Sequence, residues 1–418
     1  MYEVFADVMG DSIAAVDGEQ WRYQRKKLSH LFTMRSFRET ITTSIQKYVR
    51  VMGKVLDEAA LHPETPFNLG DACHQMAFDI FAEVGFGLQT HALERSENNP
   101  FIVSLGMLTQ VLESRFQQPK ALWKLKRMLQ IGEEKKLAES LTILNDAMHR
   151  IIYENLARQS GETVLRPTKD VISLFMDELH DDDADDAQAK KQPIDSKFLR
   201  DVGFTILAGG KDSTASSLMW CFVMLNRHPR VEALIRDELL TKLPKLFSDK
   251  DYVPSLEEIE TLVYLEAALR ESLRLNPTVP LNAKEANRDT TLSDGTFLKK
   301  GTRVYIPSYT LARMPHVWGP DAAEYKPERW IETDELTGKQ KLLVVPATKF
   351  TSFHAGPRIC LGMRFALFEL KAALAYVLSK YRLKTKRDPE TYTYEMSAVL
   401  SLKGTPMVSV EDLRAKSS

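Results

Sequence analysis

The segment that ends at Cys360 and Gly362 carries the most specific chemical pattern in the chain. It reads FHAGPRICLG, and a stretch with helical periodicity follows it. A thiolate ligand needs a lowered pKa, which the positive potential at a helix N-terminus supplies. Gly356 and Gly362 let the backbone approach a bound group, and the guanidinium of Arg358 suits a carboxylate. The pattern therefore indicates a cysteine whose thiolate form is favoured, at a place where the backbone leaves room for a bound group.

The other two cysteines, Cys73 and Cys221, have no comparable neighbours. An isolated cysteine is usually a small buried hydrophobic residue, and we expect this of both. Three widely separated cysteines do not indicate a disulfide framework, so a reducing compartment fits better. The sequence contains neither a CxxC pair nor a histidine spacing typical of zinc sites.

A polar cluster, GGKDST at residues 209–214, lies inside a long apolar segment, residues 195–225. Each glycine within a helix costs roughly 1 kcal/mol relative to alanine, and a buried acid with hydroxyls adds a cost of desolvation. Such a local conflict with helix stability is typical of functional sites. The alternative is that the hydroxyls of Ser213 and Thr214 simply bond back to helix carbonyls.

Two further pairs have the spacing of one helical turn. Glu271 and Arg274 in the sequence ESLR share a helix face, although such a pair is usually a surface ion pair of little energy. Trp21 and Arg25 in WRYQR also lie one turn apart. Taken alone, a tryptophan and an arginine at this spacing would more often be a core and a surface residue.

Most of the chain has the apolar periodicity of helices. The predicted helices are residues 17–50, 68–85, 101–158, 170–179, 195–225, 229–239, 262–275 and 360–381. A capping box at Ser255 and Glu258 begins the helical stretch before residue 262. Short runs such as 302–306 predict a small sheet, and residues 308–357 have the composition of irregular structure. The sequence therefore predicts a mainly helical fold with a small β-sheet region.

The composition excludes several classes of protein. The chain has 418 residues, of which 44% are apolar and 27% charged, as in an ordinary globular protein. A net charge of -1 gives no reason to expect nucleic-acid binding or general attraction to an anionic membrane. No apolar run of about 18 residues and no signal peptide is visible. The acidic run within residues 180–194 is interpreted as a solvated linker, with a partner site as the alternative.

Together these motifs resemble the cytochrome P450 family. FHAGPRICLG matches the heme-binding signature FxxGxRxCxG at every fixed position, residues 265–277 resemble the family's K helix, and residues 209–214 resemble its AGxDTT segment. The resemblance covers almost the whole chain. It implies one cytochrome P450-like domain over residues 1–418, with heme b as cofactor, and without the N-terminal membrane anchor, first helix and first strands of the family.

The resemblance also implies which residues bind the heme. Cys360 would be the iron ligand, Phe353 would pack near its sulfur, and the basic side chains and Trp21 would contact the propionates. The heme-binding set around the cysteine loop and the propionates is Trp21, Arg25, Lys284, Phe353, Gly356, Arg358, Cys360 and Gly362. By the same resemblance, Glu271, Arg274 and Arg329 would hold the loop that presents the cysteine, in a structural and not a catalytic role.

The glycine-rich cluster would serve the oxygen chemistry of the family. Gly209 and Gly210 would open a groove in which dioxygen binds. Asp212 and Ser213 would take the place of the acid and alcohol that deliver protons. Ser213 stands where threonine is typical, and Thr214 could share its role.

Further segments, WKLK at 123–126 and DVISLF at 170–175, resemble the plant and fungal branch that hydroxylates fatty acids and alkanes at or near the chain end. The implied function is a heme-thiolate monooxygenase that inserts one oxygen atom of dioxygen into a C–H bond of a fatty acid or another lipophilic substrate. Electrons would come from NADPH through a separate NADPH-cytochrome P450 reductase. The resemblance also implies a monomer at the cytosolic face of the endoplasmic reticulum membrane, although this chain shows no transmembrane anchor.

Two other functions stay open from the sequence. One is a heme-thiolate isomerase or dehydratase that acts on peroxides without dioxygen. Because that class usually lacks the acid and alcohol, Asp212 and Ser213 argue against it. The other is a non-catalytic fragment of the family, which the missing N-terminal elements favour.

Overall fold

The protein is described here by a computed structural model, which covers residues 2–33, 35–94, 100–159, 196–396 and 399–414. Within these residues it is mainly helical, with small antiparallel sheets, as the sequence predicts. The predicted helix 170–179 and the acidic linker 180–194 lie outside the described residues. No helix in the described part of the chain is both long and apolar enough to span a bilayer.

The chain divides into two compact units. The first comprises Met1–Val55 and Asp71–Ala215, and the second comprises Leu56–Gly70 and Ser216–Ser418. The first half of the chain, through the helix that enters the second unit, is helical except for one short strand, β1. Its elements are α1 Tyr2–Met9, α2 Gly18–Thr33, α3 Arg35–Leu61, β1 Phe67–Asn68, α4 Leu69–Phe86, α5 Pro100–Gln117, α6 Lys120–Leu129, α7 Gly132–Gln159 and α8 Ser196–Arg227.

The predicted helical stretch 101–158 is confirmed, and the structure divides it into three helices, α5, α6 and α7. Pro119 precedes α6, and proline has no backbone N–H to continue a helix. Gln130 then ends α6 in the left-handed conformation, with φ of 51°, and Gly132 begins α7 with φ of 60°. The three helices are separated by the backbone conformation at these positions. Apolar periodicity in the sequence does not indicate that conformation.

The second unit contains shorter helices and the sheets. Its elements, from α9 onward, are α9 Pro229–Lys242, α10 Lys245–Ser248, α11 Leu256–Glu260, α12 Val263–Leu275, β2 Asn282–Glu285, β3 Thr290–Thr291, β4 Phe297–Leu298, β5 Arg303–Ile306, α13 Ser308–Leu311, α14 Pro315–Trp318, β6 Ile331–Thr333, β7 Gln340–Leu342, α15 Met363–Lys380, β8 Tyr381–Thr385, β9 Tyr394–Met396, β10 Leu400–Leu402 and β11 Met407–Asp412. The capping box at Ser255 is present. Residues 308–357 are less irregular than predicted, because they contain α13, α14 and the β6–β7 hairpin.

Helix α15 forms the centre of the second unit and follows the cysteine segment directly. Every residue from Phe368 to Lys380 is buried. The helix leads into β8, which pairs with β11, and β11 in turn pairs with β1. Asn226, near the end of α8, donates to the Leu383 carbonyl at 2.9 Å and accepts from the Thr385 amide at 3.1 Å. The element that begins at the cysteine is therefore anchored in a packed core.

Lys380 lies at the buried end of α15, and this position makes its charge costly. Burial lowers the pKa of Lys380 from 10.5 to about 8, and the positive charge of Arg414 acts in the same direction. The ammonium donates to the carbonyl oxygen of Asp249 at 3.1 Å and to that of Leu246. The side chain therefore binds its proton less tightly in the folded protein than in the unfolded chain.

We expect the free energy of unfolding to rise with pH between about pH 8 and 10.5, because the unfolded chain binds more protons in this window. Lys380→Met should lose this rise, which amounts to about 3 kcal/mol at most. The measurement is denaturant unfolding at a series of pH values. Lys384→Met, on exposed β8 surface, is the matched control. A rise of equal size in wild type and Lys380→Met would contradict the prediction.

Candidate active site

The cysteine loop folds as two short turns ahead of α15. Thr351–Phe353 and Gly356–Arg358 each form a single 3-10 turn, and α15 begins three residues after Cys360. The Cys360 amide donates to the Phe353 carbonyl at 2.8 Å, which closes the loop. The predicted position of Cys360 just before the N-terminal end of a helix is confirmed, so the helix dipole there favours a thiolate.

The two glycines of the signature leave space next to the loop. Gly356 has φ of 66°, in the left-handed region that favours glycine. Gly362 has an ordinary φ of -84°, so its backbone conformation alone would accept other residues. At both positions, no described residue other than the chain neighbours has an atom within 4 Å of the place a Cβ would occupy. Open space beside a cysteine loop fits the close approach of a flat prosthetic group such as heme.

The three cysteines differ in exposure as the sequence predicts. Cys73 and Cys221 are buried, and Cys360 is exposed. Burial raises the pKa of the Cys221 thiol to about 12, although a hydrogen bond with Ser272 opposes the shift. A buried thiol with a raised pKa is a poor metal ligand, because the ligand form is the thiolate. Cys360 is therefore the one cysteine suited to bind iron.

Glu271 is the centre of a buried network beneath the cysteine loop. Its side chain is 0% exposed, and the guanidinium of Arg274 binds it through two hydrogen bonds of 2.7 and 2.8 Å. The predicted third member, Arg329, donates from Nε to Oε1 of Glu271 at 3.2 Å. The Trp330 indole donates to Oε2 at 2.9 Å, and the Lys326 amide donates to Oε1 at 2.9 Å. The ion pair is thus buried and fully bonded, unlike a surface pair.

Two contacts connect this network to the cysteine loop. The hydroxyl of Ser352 donates to the carbonyl of Leu273 on α12 at 2.8 Å. A row of aromatic rings runs from Trp330 to Phe350 and on to Phe353, with centroid separations of 4.8 and 6.1 Å. The helix that carries Glu271 is therefore in direct contact with the loop that presents the cysteine. Neither Ser352 nor Trp330 was recognised from the sequence.

The predicted acid, Asp212, lies on α8 in the first unit. Nζ of Lys211 is 2.5 Å from Oδ1 of Asp212, and Nδ1 of His74 on α4 is 3.5 Å from the same oxygen. Burial raises the pKa of Asp212, but His74 and the charge of Lys211 outweigh burial and lower it below its usual range. The carboxyl group is therefore held ionised. His74 was missed in the sequence because it lies on another helix.

The hydroxyls next to Asp212 are in two different environments. The Ser213 hydroxyl donates to the Gly209 carbonyl at 2.6 Å, with Gly210 as a longer second acceptor at 3.3 Å. The back-bonded arrangement, which the sequence left as the alternative, is thus the one observed for Ser213. The Thr214 hydroxyl is buried and has no hydrogen-bond partner among the residues that the structure describes. A role of either hydroxyl in proton transfer stays a prediction.

The two glycines of the cluster differ in their surroundings. No atom lies within 4 Å of a Cβ built on Gly209, which is compatible with a groove. A Cβ on Gly210 would lie 2.1 Å from two ring carbons of Phe81 on α4. The buried Phe81 ring therefore fills the space on the Cβ side of Gly210, and a groove for dioxygen at these glycines stays a prediction.

The remaining predicted heme residues are placed on two elements. Trp21 and Arg25 lie on one face of α2 and are half-buried. Lys284 is exposed on β2. Burial lowers the pKa of His354 in the cysteine loop, and the positive charge of Lys284 lowers it further. Lys284 therefore lies near that loop. Contact of these residues with propionates stays a prediction.

Comparison with known proteins agrees with this arrangement. The cytochrome P450 family model matches residues 2–410. Cytochrome P450 86B1 of Arabidopsis thaliana is 34% identical over 90% of this chain, which spans 66% of that relative. Cytochrome P450 94A2 of Vicia sativa is 31% identical over 98% of the chain and 77% of the relative. Alkane hydroxylase MAH1 of Arabidopsis thaliana is 32% identical over 90% of the chain and 72% of the relative.

Solved structures show the same fold. The crystal structure of cytochrome P450 CYP102L1 has a TM-score of 0.78 at 23% identity and covers 98% of this chain and 83% of that one. The cytochrome P450DA heme domain has a TM-score of 0.79 at 20% identity and covers 98% and 82%. These likenesses establish the fold. The chain belongs to the cytochrome P450 family, whose members are monooxygenases and therefore oxidoreductases.

We expect Glu271→Gln to lower the free energy of unfolding by about 3–5 kcal/mol, because it leaves the buried charge of Arg274 uncompensated. Denaturant unfolding measures the loss, and heme content per chain reports whether the cysteine loop still forms. Glu335→Gln, at an exposed position, is the control and should change stability by less than about 0.5 kcal/mol. A Glu271→Gln protein as stable as this control would refute the structural role of the network.

Gly210→Ala should destabilise the protein by about 1–3 kcal/mol, because its methyl group would overlap the Phe81 ring. Gly209→Ala, on the same helix, should leave stability unchanged or raise it by up to about 1 kcal/mol, since alanine is the better helix former and space is available. Thermal unfolding compares the two variants. Equal behaviour would show that Phe81 moves away without cost.

Proposed function

We propose that this chain is a heme-thiolate monooxygenase in which Cys360 binds the heme iron. The observation that carries the proposal is the exposed Cys360 thiol, held by its amide bond to Phe353 just before the N-terminal end of α15. Heme, when bound, supplies the activation of dioxygen, and a cysteine ligand favours cleavage of its O–O bond. The comparison in which the chain matches the family model over residues 2–410 supports this function.

The residues of the chain position the cofactor and supply protons. Arg358, Arg25 and Lys284 would neutralise the heme carboxylates, and the Trp21 indole would donate a hydrogen bond to them. The Glu271 network would hold the cysteine loop in place whether or not heme is bound. Asp212 and the neighbouring hydroxyls of Ser213 and Thr214 would pass protons to the reduced oxygen, with Asp212 as the carboxylate that accepts and releases them.

The substrate proposed for this enzyme is a fatty acid or a similar long lipophilic molecule, oxidised at or near its terminal carbon. The similarity to a relative named as an alkane hydroxylase supports an aliphatic substrate. Electrons would come from NADPH through a separate NADPH-cytochrome P450 reductase. The enzyme would act at the cytosolic face of the endoplasmic reticulum membrane. These assignments follow the resemblance of the chain to its family and branch.

The isomerase or dehydratase function is less well supported. An enzyme that rearranges peroxides has no need of protons for reduced oxygen. Asp212 is nevertheless kept ionised within a helix by two bases, His74 and Lys211. Such an arrangement costs stability through desolvation and is compatible with a proton-delivery role. Oxygen-dependent product formation from lauric or oleic acid, with reductase and NADPH, distinguishes the two functions.

The direct test of the iron ligand is the absorbance spectrum of the reduced carbon monoxide adduct. We expect the Soret shift typical of thiolate ligation in the wild-type protein loaded with heme. Cys360→Ser should abolish the shift, because an alcohol is a weak iron ligand compared with a thiolate. Cys221→Ser, a buried cysteine, should retain it. Absence of the shift in well-folded wild-type protein would exclude heme-thiolate function.

A further inference from the structure

The Asp212 carboxylate has a neighbour that belongs to no family motif in the sequence. His74 on α4 places Nδ1 3.5 Å from Oδ1 of Asp212. The same oxygen accepts a hydrogen bond from Nζ of Lys211 at 2.5 Å. Both α4 at this position and this part of α8 belong to the first unit. Two basic groups from different helices thus converge on one carboxylate oxygen.

The His74 side chain connects a buried atom with solvent. Its Nδ1 is buried and makes no hydrogen bond among the described residues, so its 3.5 Å approach to Oδ1 is an ion-pair distance that must shorten for a proton to pass. The side chain as a whole is 38% exposed, so the exposed area belongs to the rest of the side chain. An imidazole can accept a proton at one ring nitrogen while it donates from the other. A lysine ammonium has donors and no acceptor, so Lys211 can hold the carboxylate but cannot relay a proton in this way.

The charges of Asp212, Lys211 and His74 indicate a separate role for His74 in supplying protons. Asp212 is kept ionised although it is largely buried, because both bases favour its charged form. A carboxylate held this firmly in its charged form retains a proton only briefly. A proton destined for Asp212 must therefore be stored on a neighbouring group. His74 is a neighbour that can both store a proton and exchange it with solvent.

We propose that His74 is a positioning residue that, together with Lys211, holds Asp212 and passes protons from solvent to its Oδ1 atom. In each transfer, Nε2 takes a proton from a hydronium ion of the solvent and the proton on Nδ1 moves to Oδ1. Exchange of the neutral imidazole from the Nε2–H to the Nδ1–H tautomer then restores the starting state. Asp212 then releases that proton and returns to a carboxylate. The inference rests on the proposed monooxygenase function. In that reaction a C–H bond, dioxygen, NADPH and one proton yield an alcohol, water and NADP+, and the water needs delivered protons.

The experiment compares His74→Gln and His74→Phe in the heme-loaded enzyme with reductase, NADPH and dodecanoic acid. Glutamine keeps an N–H that can hold Asp212, but it cannot relay a proton. Both variants should lose about tenfold or more of the hydroxylated product per NADPH, with hydrogen peroxide formed instead. The solvent deuterium isotope effect on product formation should increase in both. His149→Gln, an exposed histidine on α7, should behave as wild type.

Two results from this assay would overturn the proposal. Full coupling of NADPH to product in His74→Gln would show that His74 only holds Asp212. The second result concerns hydroxylation driven by hydrogen peroxide. Because hydrogen peroxide brings its own protons, the proposal expects this reaction to stay close to the wild-type rate in both variants. An equal loss by the peroxide route and the NADPH route would show general damage to the site and would also overturn the relay.

A second measurement does not depend on activity. Thermal unfolding of His74→Phe, Asp212→Asn and the double variant should show non-additive losses in Tm, because each single substitution removes the same contact. Additive losses would overturn the inference. A wild-type enzyme that forms no hydroxylated product would refute the proposed function and the relay with it. Coupled losses in that case would still establish the contact between His74 and Asp212.

Discussion

The buried negative charge of Glu271 is the constraint on which the second unit depends. A fully desolvated carboxylate is costly unless its oxygens are bonded and its charge is balanced. Here the donors come from Arg274 on the same helix and from Lys326, Arg329 and Trp330 more than fifty residues further along the chain. These segments must therefore fold together, since a missing donor would leave the carboxylate uncompensated.

The same network determines where the cysteine lies. Arg274 also donates to the carbonyls of Ala322 and Glu324, at 2.7 and 3.0 Å, so it holds the irregular chain that leads toward the loop. Ser352 and the aromatic contacts of Phe350 then attach the loop itself. Covalent proximity of Cys360 to α15 fixes one side of the loop, and the buried network fixes the other. The Cys360 loop is therefore held from both sides.

The α8 cluster shows a different use of buried charge. Lys211 and His74 hold the partly exposed Asp212 carboxylate ionised, and the Ser213 hydroxyl already donates to a helix carbonyl. A proton could therefore move through this cluster only if one of these hydrogen bonds or ion pairs breaks and another forms. The close packing of Gly210 against Phe81 restricts how α8 can adjust.

The sequence predicted the parts of this site that local chemistry determines. The cysteine loop and the pairing of Glu271 with Arg274 could be recognised because a short spacing sets their geometry along a turn or a helix. The polar cluster at residues 209–214 was recognised in the same way. The burial of Cys73 and Cys221 was expected because an isolated cysteine is usually buried. Arg329 was assigned to the network by resemblance to the family, and the structure confirms that contact.

Only the tertiary structure could show the partners that come from distant parts of the chain. His74 beside Asp212 and Phe81 against Gly210 leave no periodic signal, because each pair is formed when α4 packs against α8. The Trp330 indole bond to Glu271 is of the same kind. The amino-acid sequence by itself indicated the family and the proposed thiolate ligand, Cys360, because both rest on residue types at short spacing that match a family signature. Packing decided which bases and rings surround the acid, because those contacts depend on how helices fit together in three dimensions.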